Sequence, residues 1–218
     1  MKMLDVPQSG SLAGQTSSRN RYGQYRRTRA TPVNPNTGSQ GSARARLGLN
    51  AAAWRALTDL QRAGWESLGS QMTRTDSLGQ TYALNGFAAY CSVNNNLLAA
   101  GEAALSAAPA LLTPTGLLTA TITLTAAAFS IAYTATPLAA ATKLLVFASP
   151  QRSAGRSYES DYRLVFVSAA AAASPANVFT AYTTRLGTPV VGQRVFLQLQ
   201  LHISGFHSAA LITSAVVA

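Results

Sequence analysis

The chain has 218 residues, 48% of them hydrophobic and only 11% charged, with a net charge of +10 and one cysteine. That is enough apolar material to bury a core in one or two domains, so a wholly disordered chain is excluded. The lone Cys91 excludes an intramolecular disulfide and a thiolate metal cluster, and so small a charged fraction suits a protein that lives in an assembly.

The positive charge is concentrated at one end. Residues 1–48 hold Lys2 and Arg19, Arg21, Arg26, Arg27, Arg29, Arg44 and Arg46 against Asp5, a net of +7, whereas residues 49–102 come to −1 and residues 103–218 to +4. All the bases except Lys2 and Lys143 are arginine, which fits bidentate pairing in a protein groove, phosphate binding, or simply a GC-rich coding sequence. MKMLDVPQSGSLAG has no apolar core of a signal peptide, and the longest apolar tracts are interrupted by proline or polar residues. No export signal and no membrane span are expected, and synthesis in the cytoplasm follows.

Residues 1–40 are rich in Gly, Ser, Asn, Gln, Thr, Pro and Arg, with Tyr22 and Tyr25 as the only aromatics. They lack the material for a core and are expected to form an extended basic arm, closed by the strap TPVNPNTGSQ at 31–40. Residues 41–102 change to a helical period and predict three short helices. The first, over 41–57, carries Leu47, Ala51, Trp54 and Leu57 on one face. The second, over 59–69, starts at the capping box Thr58-Asp59-Leu60-Gln61 and places Leu60, Trp65 and Leu68 inward. The third, over 86–100, is capped by Asn85, shows Phe87, Tyr90, Leu97 and Leu98, and stops at Gly101. Three such helices are too small for an independent core, so the segment is expected to dock on something, with Trp54, Leu57 and Trp65 as its docking residues.

Residues 103–218 are expected to be a β domain. After the uncharged, proline-bearing stretch 103–116, a linker or edge strand, strands are predicted at 117–125, 128–134, 143–149, 162–168, 177–184, 194–204 and 209–217. The clearest alternates Val195, Leu197, Leu199, Leu201 and Ile203 with Phe196, Gln198, Gln200 and His202. Seven strands in about a hundred residues are the number of an immunoglobulin-like sandwich. The closing pair, RVFLQLQLHIS and AALITSAVV around GFHS, resembles the last hairpin of fibronectin type III domains, although the Cys…Trp…Cys signature of true immunoglobulin domains is absent. The fold class is therefore mainly β with a short helical segment: an extended N-terminal arm, three short helices and a C-terminal seven-stranded immunoglobulin-like β-sandwich.

Catalytic chemistry finds little support. The β domain has two acids, Glu159 and Asp161, beside Arg156 and Arg163, which read as solvated ion pairs of a surface loop. His202 and His207 flank a turn at Gly205 and can approach one another, but two histidines alone make a poor metal site. No Walker loop, dinucleotide fingerprint or nucleophile elbow is present, and Cys91 lies in an apolar helical context that favours an inert thiol. No catalytic residue, cofactor or metal is expected, and the chain reads as a non-enzyme.

One constellation stands out: Arg19, Arg21, Tyr22, Tyr25, Arg26, Arg27 and Arg29. Arginines interleaved with tyrosines can meet phosphates and stack on bases, or lie in an acidic groove between protein subunits with tyrosine as anchor; a solvated tail is the third reading. The order of parts, with Tyr22 to Arg29 as Y-G-x-Y-x-R-x-R and Trp54 to Trp65 as W-x-x-L-T-x-x-Q-R-x-x-W, resembles accessory virion proteins of tailed bacteriophages. The resemblance covers about residues 10–100 and implies a structural role without enzymatic activity. Capsid decoration or cement is the expected function, with the major capsid protein or other virion subunits as partners, a symmetric trimer or dimer within the particle, and the virion as location. A neck, tail or fibre-attachment component is the alternative. Nucleic-acid binding by the arm is the second alternative, weakened by the slightly acidic helical segment.

Overall fold

A computed structural model describes residues 8–76, 78–117, 119–134 and 138–218, apart from the side chain of Ser39. The expectations at residues 1–7, Lys2 included, and at Leu118 lie outside these residues. The chain divides into two compact units, one ending at Arg44 and the other spanning Ala45–Ala218.

The first unit departs from the expected extended arm. Strands β1 (Gly10–Leu12), β2 (Gln15–Asn20) and β3 (Gly23–Thr28) form a three-stranded antiparallel meander in that order. Hydroxyl, amide and arginine side chains alternate along it without an apolar period, which is why no strand is read from hydrophobicity there. Residues 29–37 follow without regular structure. Helix α1 (Gly38–Ala56) then begins three residues before the expected start, because Thr37 supplies a capping box: its hydroxyl accepts the Gln40 N–H and the Gln40 side chain accepts the Thr37 N–H, each at 3.3 Å.

In the second unit, helix α2 (Asp59–Gln71) starts at the predicted capping box of Thr58 and Gln61. A short hairpin, β4 (Thr73–Thr75) and β5 (Thr81–Ala83), fills the turn-like stretch, closed by Asp76, whose carboxylate accepts the N–H groups of Leu78 and Gln80. Asn85 caps helix α3 (Gly86–Ala99) as predicted, accepting the Ala88 N–H at 2.7 Å. Leu57, Trp65, Leu68, Ala89, Tyr90, Val93 and Leu97 form the core of this helical layer, and Trp54 packs half-buried against it. Leu47, Leu60 and Leu98, expected to face inward, are exposed.

The β domain comprises β6 (Ala120–Leu124), β7 (Phe129–Tyr133), β8 (Lys143–Ala148), β9 (Arg152–Ser153), β10 (Arg163–Val167), β11 (Ala176–Asn177), α4 (Phe179–Leu186), β12 (Gln193–Ile203), β13 (Phe206–His207) and β14 (Leu211–Val216). Two antiparallel sheets result. In one, β12 is central: β8 pairs along one edge, from Leu197 opposite Ala148 to His202 opposite Lys143, and β14 along the other, from Arg194 opposite Val216 to Leu199 opposite Leu211. β10 lies outside β8, while β9 and β13 add short pairings to the two ends of β12. The second sheet has the order β11–β7–β6. Phe129, Ile131, Leu144, Val146, Val195, Leu197 and Leu199 belong to the core that both sheets share. The described residues are thus mainly β, with several antiparallel sheets and four helices.

The strand expected at 177–184 is a helix. Phe179, Tyr182 and Leu186 recur at three and four residues, and Asn177 accepts the Phe179 N–H at 3.0 Å. Tyr182 is fully buried edge-on to Phe129 at 5.3 Å, donates to Ser149 O at 3.3 Å, and has its phenol pushed up to about 12 by burial. Burying that tyrosine from a helix overrides the β propensity of NVFTAYTT.

The docking expected of the helices takes place within the chain. Phe206 of β13 enters the helical core, Asn96 donates to Gly205 O at 2.8 Å, and Lys143 donates to Ala100 O at 3.0 Å. Residues 103–116, neither helix nor strand, are tied down by Asn94, which exchanges two hydrogen bonds with the Leu105 backbone, and by Trp65, whose indole N–H donates to Ser106 O at 2.8 Å. Gly205 sits at φ +87°, and a Cβ there would lie 2.5 Å from Val93 Cγ1 and 3.0 Å from Val93 O. Gly205→Ala is therefore expected to cost about 2–4 kcal/mol from left-handed backbone strain and overpacking together, read as a fall in the urea midpoint.

Candidate functional site

The register of the meander decides how the arm presents its side chains. Ser18 opposite Tyr25 and Thr16 opposite Arg27 place Tyr25 and Arg27 on one face, whereas Arg19 opposite Gln24 and Ser17 opposite Arg26 place Arg19 and Arg26 on the other. Arg21 and Tyr22 form the tip between β2 and β3. There the Tyr22 N–H donates to Asn20 Oδ1 at 2.9 Å, and the Arg21 guanidinium lies 4.6 Å over the Tyr22 ring while also donating to its hydroxyl. Arg29 ties the end of β3 back through its N–H to Gly14 O at 2.8 Å, and Arg26 donates to Gln8 at 3.0 Å. The seven residues singled out in the sequence are thus brought into one small sheet, with cations on both faces and an aromatic at the tip.

None of residues 8–38 is buried. Tyr22 keeps 75% of its surface exposed and Tyr25 38%. Between Asp5 and Asp59 the sequence contains no acid, so the charged side chains of β2 and β3 are all arginine. Three strands lacking an apolar face are marginal by themselves, and a single-sign charge adds self-repulsion.

Trp54, Leu57 and Trp65, the docking residues expected from sequence, sit elsewhere. Trp65 has no exposed surface, Leu57 is buried, and Trp54 lies between Phe87 at 5.8 Å and Tyr90 at 5.5 Å. Trp65 and Leu57 belong to the core of the helical layer and Trp54 packs half-buried against it, so tertiary packing uses indole surface that a partner would need.

The ion pairs around Glu159 are not solvated as expected. Glu159 is buried; its carboxylate accepts the N–H groups of Ser160 (2.9 Å) and Asp161 (3.1 Å) and the guanidinium of Arg152, with Arg156 Nη2 at 3.6 Å. The Asp161 amide first, then Arg152 and the Ser160 amide, hold the carboxyl down to about 2. Its lone pairs are committed to fixing the 152–163 loop against the sheet. Arg152 was invisible as a partner because it lies seven residues away, and the burial is a tertiary fact. Burial likewise pushes the Cys91 thiol up.

No group of three or more His, Cys, Asp or Glu able to hold a metal ion occurs among the described residues, and none of their helices is long and apolar enough to cross a membrane. No family model matches the sequence, and no curated protein matches it.

Proposed function

We propose that this chain is a structural, non-enzymatic virion protein of the tailed-bacteriophage type, a capsid decoration or cement protein whose N-terminal meander binds neighbouring shell subunits. The observation that carries the reading is the sheet of β1–β3 in the arm, folded without a buried residue and with arginine as its sole charged residue type. Such an element gains little stability from itself, so a surface laid against it supplies what a core would, and an acidic groove between subunits meets its charge. Tyr22 and Tyr25 serve as anchors on that surface.

The β domain is read as a sandwich of the immunoglobulin and fibronectin type III kind. Its support is the strand order, β6–β7–β11 in one sheet and, with the two-residue β9 and β13 set aside, β10–β8–β12–β14 in the other, six-stranded sheet, the last two long strands, β12 and β14, being paired. In this reading the fifth strand is the two-residue β11, and α4 occupies the connection to the sixth. The sandwich stands outside the shell, in a trimer or dimer.

Two titrations test the proposal, one against bare shells and one against random-sequence duplex DNA, each with Tyr22→Ala/Tyr25→Ala and Arg26→Ala/Arg27→Ala proteins. Binding to the shell is expected to survive 200 mM salt and to suffer comparably from either pair of substitutions. An arm using about six arginines on phosphate would weaken roughly 10³-fold between 50 and 200 mM salt. Tight, sequence-independent DNA binding with no shell binding would replace the proposal with the nucleic-acid reading. Copies per particle separate a shell role from the neck, tail or fibre-attachment role, hundreds against about a dozen.

A further inference from the structure

We propose that His202 is an acid-released latch: while neutral it holds the β12–β13 turn against α3, and on protonation it releases that turn and with it the helical layer. His202 is fully buried near the end of β12, in register with His207 on β13, and the two rings stand 5.3 Å apart. The Gly205 N–H donates to His202 Nε2 at 3.1 Å, so this nitrogen is an acceptor and the imidazole proton resides on Nδ1. Gly205 is also where the helices attach, through Asn96 to its carbonyl and through Val93 and Leu97 against its Cα, with Phe206 next in the chain inside the helical core.

Adding a proton to His202 puts an N–H on Nε2, facing the Gly205 N–H. Two donors then oppose each other in a buried turn, and the hydrogen bond that sets the turn is lost. The rest of the site does little to accommodate the charge. Among the described residues Nδ1 has no hydrogen-bond partner; Glu102 Oε1, following α3, stands 4.0 Å away and is engaged at 2.9 Å by Lys143 Nζ from β8. His207 brings a second, half-buried imidazole whose inaccessible Nε2 has no hydrogen-bond partner among the described residues. Glu102, Lys143 and the two histidines are the titratable and charged groups facing this turn among the described residues; Val93, Asn96 and Leu97 of α3 do not titrate.

The direction of titration agrees with the geometry. Burial holds His202 below its ordinary value against the pull of Glu102, with Lys143 adding to the depression, and burial together with His202 holds His207 down to about 4. Unfolded or released histidine titrates near 6.5, so the released form binds more protons over the interval below that. The docked state therefore keeps its full stability above about pH 6.5 and loses it as pH falls toward 4.

Hydrogen exchange by mass spectrometry between pH 7.5 and 4.0, corrected for intrinsic rates, tests the latch on the full chain. Fluorescence gives a parallel readout, since both tryptophans, Trp54 and Trp65, sit in the helical layer. Opening of α2 and α3 is expected to rise at least about tenfold per pH unit within that window, with a slope approaching two protons, while β8 and β12 stay protected. His207→Gln should reduce the slope to one, and His202→Gln/His207→Gln, which keeps an acceptor for Gly205 but cannot titrate there, should abolish it. Loss of protection in helices and sheets together, or an unchanged slope in the double variant, overturns the proposal. If the double variant does not fold at pH 7.5, His202→Gln alone, which keeps the acceptor for Gly205, takes its place, and an unchanged slope there overturns the proposal.

Discussion

Replacing Trp65 with alanine is expected to destabilise the second unit by about 3–5 kcal/mol, the range for removing a large aromatic from a closed core. Trp65 is fully buried, stands edge-on to Tyr90 at 5.1 Å and anchors the 103–116 segment through its indole N–H to Ser106 O. The substitution removes packing and a hydrogen bond at once. Against a total stability of roughly 5–15 kcal/mol, such a loss populates a form with the helical layer open. Urea unfolding followed by far-ultraviolet circular dichroism measures the effect, and a change under about 1 kcal/mol would show that this core does not hold the layer together.

Deleting residues 1–36 is expected to abolish co-sedimentation with bare shells while leaving the body's thermal midpoint unchanged. The cut spares Thr37, which caps α1, and among the described residues removes none that belongs to either hydrophobic core. Surface changes of this kind ordinarily alter stability by no more than about 0.5 kcal/mol. Wild-type binding by the 37–218 protein, with its circular dichroism intact, would move the interface into the body.

The helical layer was legible because its signals are local. Thr58 with Gln61, and Asn85, announce helix starts that the structure keeps, and the alternation from Val195 to Leu199 announces a strand packed on one face. The other face of β12 misled: Phe196 and His202 are buried too, since the central strand is covered on both sides. The meander at 10–28 was missed because backbone pairing among polar residues leaves no hydrophobic period. At 179–186 aromatic and β-branched residues favoured a strand, and the need to bury Tyr182 beside Phe129 decided otherwise. Of the candidate site, the arm's composition was readable but its two-faced arrangement depends on register. The burial of Glu159 and the bond from Gly205 to His202 arise only when distant segments meet.

The contact between Asn96 and Gly205 joins residues 109 positions apart, and Phe206 completes a core otherwise built from residues 57–97. During synthesis the three helices therefore emerge long before their last core residue, and Trp65 and Val93 lack part of their cover until β13 is made. Bringing those ends together carries a loop-closure cost that no early local contact offsets. A ribosome that stalls before residue 205 thus releases a product with an open apolar face on its helices, the kind of surface that chaperones bind and proteases clear. Finishing the chain and hiding that face are the same event.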